Sequence, residues 1–457
     1  MSHSTELGTE PIGKLLFKQA LPAAIGFMVM SLNTVVDSIY LGNFIGEDAI
    51  GAVTSVTTLV FLFGSVGMAI GMGGSSIVSR ALGEDNMEKA SWALNNQVSL
   101  MLIFIVAIVG IGYTFAEPMV YAFGGRGNIF PLALDYFKVV LVGIPFLAWG
   151  MMCNNNIRAE GRASMAMMIL LIPSVINIIL DDIFIRVMGG GIVSAGWATS
   201  IAFILSTVFT FYFYFSKQSE LKFNLAKMRL KWKYVWEIVS IGSVSLIRQG
   251  SIAMLMIILS WSLFKYGDRD ILISNGGEIA YNSYGVASRM AMFAFFPLIG
   301  ITQGFMPIAG YNYGAKHYDR VRLVIKYAII SGTLIAAILC AILLLSSELI
   351  PRMFSMGEET IEHGSDAIFY VFMATPLVML TLVGSGYYQA IGRPLPAMLL
   401  TLTKQTFFLI PAIFVLSSYY GLDGIWYSFP VADGLSALVC WYFLAKAAKF
   451  LRTSKSL

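Results

Sequence analysis

The chain has 457 residues, of which 57% are hydrophobic and 12% charged, with mean hydropathy +0.76 and formal net charge +4. Soluble domains run near 45–50% apolar and about 25% charged, so there is too little polar surface to cover one or two water-soluble cores. These values exclude a cytosolic enzyme, a disordered scaffold and a nucleic-acid binder, and leave an integral membrane protein. The cysteines Cys153, Cys340 and Cys440 are far apart and lie in or beside apolar runs, which is no disulfide framework. The first 14 residues are polar, and the apolar run after them is too long for a cleavable signal peptide.

Crossing about 30 Å of hydrocarbon takes roughly 20 apolar residues of helix. Twelve such spans are predicted, near 15–41, 49–78, 93–116, 131–152, 163–186, 192–216, 234–264, 280–310, 322–346, 367–390, 396–418 and 424–446. The runs are continuous rather than alternating, which favours helices over a membrane barrel. The expected fold is therefore all-α, and twelve spans put both termini on one side. That side carries most of the Lys and Arg, above all Lys217, Lys222, Lys227, Arg229, Lys231 and Lys233 between spans 6 and 7. The other side carries most of the acids, including Glu348, Glu358, Glu359 and Glu362. Positive-inside asymmetry places both termini in the cytoplasm of a cell with a multi-pass inner or plasma membrane protein. The expected divisions are an N-terminal tail 1–14, a six-helix lobe 15–216, a basic linker 217–233, a second six-helix lobe 234–446 and a C-terminal tail 447–457.

The linker sits at the midpoint, and a shift of 231 residues aligns two windows. Gly73, Ile77 and Gly83 fall on Gly304, Ile308 and Gly314, with Glu88-Lys89 on Asp319-Arg320. Pro145, Ala159, Gly161, Arg162, Ala166 and Met167 fall on Pro376, Ala390, Gly392, Arg393, Ala397 and Met398. A repeat of six spans enters the membrane in the same sense twice, so the halves are expected to be related by a pseudo-two-fold axis along the membrane normal. Parallel repeats of that kind are a hallmark of secondary transporters.

Charges inside spans cost roughly 2.5–3.5 kcal/mol even on a lenient insertion scale, so each needs a reason. Asp37 in span 1, Asp181 in span 5 and Thr199 in span 6 all fall roughly 7–11 Å below the same boundary at 1.5 Å per residue. Asn33 precedes Asp37 by four, and Asn177 precedes Asp181 by four, so each helix presents an amide and a carboxyl on one face. Two carboxylates in an apolar pocket repel, which suits uptake of a proton or of a small hard cation held by oxygen ligands. The sequence leaves both open. The repeat puts Phe408 and Ala412 where the first half has Asn177 and Asp181, so the fold itself does not require the cluster.

The second half has its own intramembrane charges, Arg248, Arg289, Lys404 and Asp433. Asp433 is expected either to pair with one of the three cations or to take a direct part in substrate or proton movement. Trp149, Phe146, Tyr284, Phe293, Phe296, Tyr387 and Tyr388 are candidate cavity aromatics, since rings can stack on or hold a cation. Pro22 removes a backbone hydrogen bond early in span 1 and marks a site of bending.

Several stretches resemble the multidrug and toxic-compound extrusion (MATE) family, in its DinF-like or MepA-like prokaryotic branches. They are Leu21-Pro22 with Asn33-Thr34-Val35-Val36-Asp37-Ser38-Ile39-Tyr40-Leu41-Gly42, Arg158-Ala159-Glu160-Gly161-Arg162, Asn177-Ile178-Ile179-Leu180-Asp181, Gly196-Trp197-Ala198-Thr199, and Gly310-Tyr311-Asn312-Tyr313-Gly314-Ala315. The resemblance implies two six-helix lobes, a central cavity and export of drug-like, often cationic molecules in exchange for protons or sodium ions. It also implies that Asp37, Asn177, Asp181 and Thr199 form an ion site in the first lobe. Asn33 joins them on helix geometry alone. Some branches carry acids in spans 7 and 10; this chain has Arg248-Gln249 and no acid in span 10, which speaks against a second-lobe ion site of that type.

The expected function is thus a secondary active exporter working as a monomer. Its partners are small amphipathic molecules and the bilayer, with no nucleic acid, no organic cofactor and no metal beyond a sodium ion at the coupling site. A membrane enzyme lacks a nucleophile–base pair, since His3, His317 and His363 lie in tails or loops. A flippase for a lipid-linked oligosaccharide is the nearer alternative, and Arg248 and Arg289 would suit its pyrophosphate.

Overall fold

A computed structural model describes residues 3–271, 275–353 and 358–453. The regular elements, in chain order, are α1 (His3–Thr9), α2 (Ile12–Phe44), α3 (Glu47–Gly83), α4 (Met87–Thr114), α5 (Ala116–Ala122), α6 (Ile129–Ala159), α7 (Ala163–Asp181) and α8 (Ile192–Phe215). They continue as α9 (Trp232–Asp270), α10 (Gly276–Gly314), α11 (Tyr318–Leu345), α12 (Leu349–Met353), α13 (Glu358–Phe372), α14 (Thr375–Ala390), α15 (Pro394–Leu402) and α16 (Ile410–Thr453). Residues 182–187 and 403–409 form π-helical turns. Lipid offers no hydrogen bonds to a backbone, so continuous apolar runs pair their own amides as helices.

Among the described residues, ten helical stretches are long and apolar enough to cross a membrane, and Ile361–Phe372 with Thr375–Ala390, bent by 44°, makes an eleventh. The stretch Pro394–Thr453 holds two of the expected spans. A straight helix would place residues eight apart about 12 Å from each other, yet a Cβ on Gly424 would stand 2.2 Å from the Leu416 carbonyl oxygen. The chain turns back at Gly421, whose φ of 60° and ψ of −134° suit only a residue without Cβ. Asp270 fills the space a side chain would take there and accepts from the Leu422 amide at 2.6 Å. Span 10 likewise differs from a single helix, breaking just before Pro376 at the start of α14.

The described chain forms two compact units. One holds residues 1–10, 25–245 and 314–316, the other 11–24, 246–313 and 317–457. Neither border falls in the basic linker: the first turns of α2 belong to the second unit and the first turns of α9 to the first. The first core packs Leu41, Val56, Phe137, Ile144 and Ile185 among others, and the second packs Leu259, Phe372, Ile413 and Trp426.

The 231-residue offset reappears in the backbone. Gly161 and Gly392 have φ of 82° and 75°, and the non-glycine pair Asp85 and Lys316 has 55° and 58°. Equivalent glycines also do equivalent packing. In the first unit a Cβ on Gly73 would stand 2.0 Å from the Ile238 carbonyl oxygen of α9. In the second, a Cβ on Gly304 would stand 2.7 Å from the Ala20 amide nitrogen of α2. Small residues let membrane helices approach this closely.

The polar segments are more ordered than tails and linkers. Residues 3–9 are helical, Leu7 is fully buried, and Ser4 donates from N and Oγ to Glu220 at 2.8 and 2.6 Å. The linker is strapped to α4: Asn95 accepts from the Asn224 amide at 2.7 Å and Asn96 from the Lys231 amide at 2.8 Å. Lys231 Nζ lies 3.2 Å from the Trp92 ring centroid. At the other end helix continues to Thr453. Residues 1, 2 and 454–457 of the expected tails, and the side chains of His3, Glu358 and Glu359, lie outside the described residues.

Glu160, in the connection between α6 and α7, holds the start of the linker by accepting from Ser219 Oγ at 3.0 Å and the Glu220 amide at 2.7 Å. Burial pushes its carboxyl from about 4.5 up to about 8, even against these donors. The folded state therefore binds this proton more tightly than the unfolded chain. Its contribution to stability is complete below about pH 4.5 and is lost as the pH rises through about 8. Thermal unfolding of detergent-solubilised protein is expected to show that decline over this window, and Glu160→Gln is expected to flatten it. In the same assay Gly73→Ala and Gly304→Ala are each expected to cost on the order of 1–3 kcal/mol through overpacking. Gly110→Ala, with nothing within 4 Å of its Cβ, is the neutral control.

Candidate ion-coupling site

Asn33 and Asp37 lie one turn apart on α2, and Asp37 is seven residues from the helix end at Phe44. Asp181 closes α7 six residues before the π-turn ends at Val187. Thr199 lies seven residues into α8 from Ile192. At 1.5 Å per residue these positions are about 9–11 Å from the same ends of their helices. The structure brings all five expected residues together in the first unit. Asn33 Nδ2 donates to Asp37 Oδ2 at 3.2 Å and to Asn177 Oδ1 at 2.9 Å. Asn177 Nδ2 reaches Thr199 Oγ1 at 3.5 Å, and Thr199 donates to the Ala195 carbonyl at 3.1 Å. The carboxyls of Asp37 and Asp181 lie within reach of each other.

Asn177 and Asp181 keep only 3% and 2% of their surface exposed, while Asn33, Asp37 and Thr199 are half-buried. The nest therefore has a closed side on α7 and an open side on α2. With its amide turned over, Asn177 donates to Asp37 Oδ1 at 2.9 Å instead of facing it with a carbonyl. Among the described residues no Lys or Arg pairs with Asp37 or Asp181, and no group of three His, Cys, Asp or Glu side chains is placed to hold a metal ion.

Tyr136 of α6 completes the nest and was not among the expected residues. Its buried hydroxyl lies within reach of Thr199 and close to the Asp37 and Asp181 carboxyls. Tyr136 is seven residues into α6, the same depth as the others. That depth was its only sequence signal, because tyrosine in an apolar span is unremarkable by itself. Asp182 points elsewhere: it accepts from Tyr40 at 3.0 Å and from Arg186 Nη2 at 2.7 Å, forming an exposed pair.

The remaining candidates are scattered. α2 runs through Pro22 as one helix. Asp433 pairs with Lys404, not with Arg248 or Arg289, at 2.6 Å. Arg248 has a long contact of 3.5 Å to Ser385 Oγ, and Arg289 is exposed. In the first unit Trp149 is buried, donates to Thr210 Oγ1 at 2.9 Å and stacks on Phe211, and Phe146 is half-buried. In the second unit Tyr284 stacks on Phe429, Phe293 meets Phe296 edge-on, Tyr387 is buried, and Tyr388 donates to the Phe443 carbonyl at 3.1 Å. Trp149 and Tyr388 are thus buried rings whose ring nitrogen and hydroxyl are bonded within their own units.

The chain and its fold have counterparts among known proteins. A multidrug export protein MepA of Staphylococcus haemolyticus is 24% identical over 451 residues, covering 97% of this chain and 96% of that protein. An FAD transporter of Shewanella oneidensis is 22% identical over 444 residues, covering 94% of each. A MATE protein crystallised in a bent conformation superposes with a TM-score of 0.92 at 22% identity over 100% of both chains. The MatE family profile matches residues 22–183 and 252–415, one match in each half of the repeat. With a family match over most of its length and the all-helical membrane fold, the chain belongs to the MatE family of multidrug-efflux membrane transporters.

Proposed function

We propose that the protein is a secondary active exporter that moves drug-like, cationic amphipathic molecules out of the cell against an inward flow of protons. The observation that carries the coupling ion is the approach of the Asp37 and Asp181 carboxyls to within reach of each other. Two carboxyls this close are both accommodated when one of them holds a proton and donates it to the other. Removing that proton leaves two like charges in contact with no cation beside them, which a poorly solvated site resists. Proton uptake and release therefore change how α2 packs on α7 and α8. If cargo and proton each disfavour the other's binding, linkage lets the proton gradient drive export by alternating access.

Sodium is the second reading, favoured by one observation: Asn33, Asp37, Asn177 and Thr199 bring amide, carboxyl and hydroxyl oxygens to one place, the ligands a small hard cation takes. Cytoplasmic termini and a plasma-membrane location are supported by the basic linker between α8 and α9. The acid nest in the first unit favours a cation exporter over a pyrophosphate flippase. One relative is named an FAD transporter, and FAD is an anion, so membership of the family does not by itself set the charge of the cargo.

Vesicle transport assays test this directly. Asp37→Asn is expected to abolish gradient-driven export while the protein still inserts and stays monodisperse; wild-type coupled export by that variant refutes the assignment. Imposing a proton gradient and a sodium gradient separately is expected to give transport with the first alone. Tyr136→Phe removes one neutral hydrogen bond, worth about 1 kcal/mol. Coupled export by that variant is expected to fall about fivefold without loss of folding, and an unchanged rate would place Tyr136 outside the site.

A further inference from the structure

The second unit holds a buried ion pair that the acid nest does not use. Asp433 of α16 keeps 1% of its side-chain surface and Lys404 keeps 17%, with Nζ and Oδ1 2.6 Å apart. Apart from this ion contact, neither carboxylate oxygen has a hydrogen-bond partner. A buried ion pair repays its desolvation only when the remaining lone pairs are satisfied, and apolar residues of similar volume serve stability as well or better. Stability does not explain this pair. Lys404 lies in the π-helical turn 403–409, a wide turn found frequently at functional sites. Its ammonium also stands 5.8 Å from the centroid of the Phe295 ring, within cation–π reach.

A carboxylate on one side and an aromatic face on the other are the surroundings of a bound ammonium. Here a tethered ammonium fills them. The lysine is the member that can leave, because its stem is flexible and it carries nearly all of the pair's accessible surface.

We propose that Asp433 and Phe295 form a binding site for an organic ammonium group on the cargo, and that Lys404 is its resident occupant, displaced when cargo binds. The proposal rests on the export function above and assigns the cationic part of the cargo to named groups. The exchange is charge for charge. Asp433 keeps a cation throughout and is never buried alone, while the displaced lysine head moves to the accessible side. An uncharged molecule gains nothing from the exchange, so the site selects for charge.

The test is equilibrium fluorescence titration of the purified full-length protein in detergent with a dansyl-tagged alkylammonium and its N-acetylated, uncharged analogue. Lys404→Gln removes the competitor and is expected to raise affinity for the ammonium about tenfold, leaving the uncharged analogue unchanged. The double variant Lys404→Gln with Asp433→Asn buries no charge, and its ammonium-to-neutral affinity ratio is expected to fall to about one. A wild-type ratio in the double variant, or no gain in the single one, overturns the proposal and leaves a structural pair. Where the single variant does not fold, the double variant decides. No gradient is applied and Asp37 is untouched, so failure here leaves the coupling mechanism standing. Conversely, an uncoupled Asp37→Asn protein leaves these binding ratios unaffected.

Discussion

Hydrocarbon gives a polar group nothing to bond with, and the chain answers that constraint at every level. At the level of the backbone it produces helices and leaves reversals only where a side chain supplies the missing partner, as Asp270 does for the Leu422 amide beyond Gly421. At the boundary it turns a highly charged linker into a strap, with the Asn95 and Asn96 side chains accepting from linker amides. Inside the spans it forces every carboxyl to find a proton, an amide or a cation. The sites of function follow from which of these each acid found.

That constraint also decides what could be read in the sequence. Asp37 and Asp181 were legible because acids in apolar runs are rare and costly, and their asparagines because four residues make one helical turn. Thr199 was legible by depth and resemblance together. Tyr136 was not, since an aromatic ring is cheap in a membrane and its hydroxyl gains meaning only once α6 and α8 are packed. The partner of Asp433 was one of three cations with equal claims, and only the reversal at Gly421, which brings α16 back along the 394–409 segment, selects Lys404. The aromatic candidates were harder to read: rings are frequent in membrane spans, and no spacing announces the hydrogen bonds of Trp149 to Thr210 and of Tyr388 to the Phe443 carbonyl.

The division of the chain was harder still. Hydropathy places the midpoint in the basic linker, yet the first turns of α2 pack on Gly304 of α10 in the second unit and the first turns of α9 pack on Gly73 of α3 in the first. Local composition holds no trace of that exchange. What does hold it is the repeat: Gly73 and Gly304 are 231 residues apart, and each accommodates the backbone of the helix that opens the other half. α2 is consequently a member of both units, with Asn33 and Asp37 on the part that belongs to the first.

One duplicated unit has therefore met the same problem in two ways. In the first unit two acids share amide and hydroxyl donors with no Lys or Arg paired to them among the described residues, so under the proposed coupling the set takes its counter-charge from solution. In the second unit the acid is already paired with a lysine of its own chain, so under the proposed exchange it yields only to a species able to replace an ammonium. The proposed antiport needs both kinds of site, because ion and cargo bind with different chemistry and must each be sensed without being mistaken for the other. Divergence within the repeat gives each its own kind of acid: one that lacks a counter-charge and one that carries it.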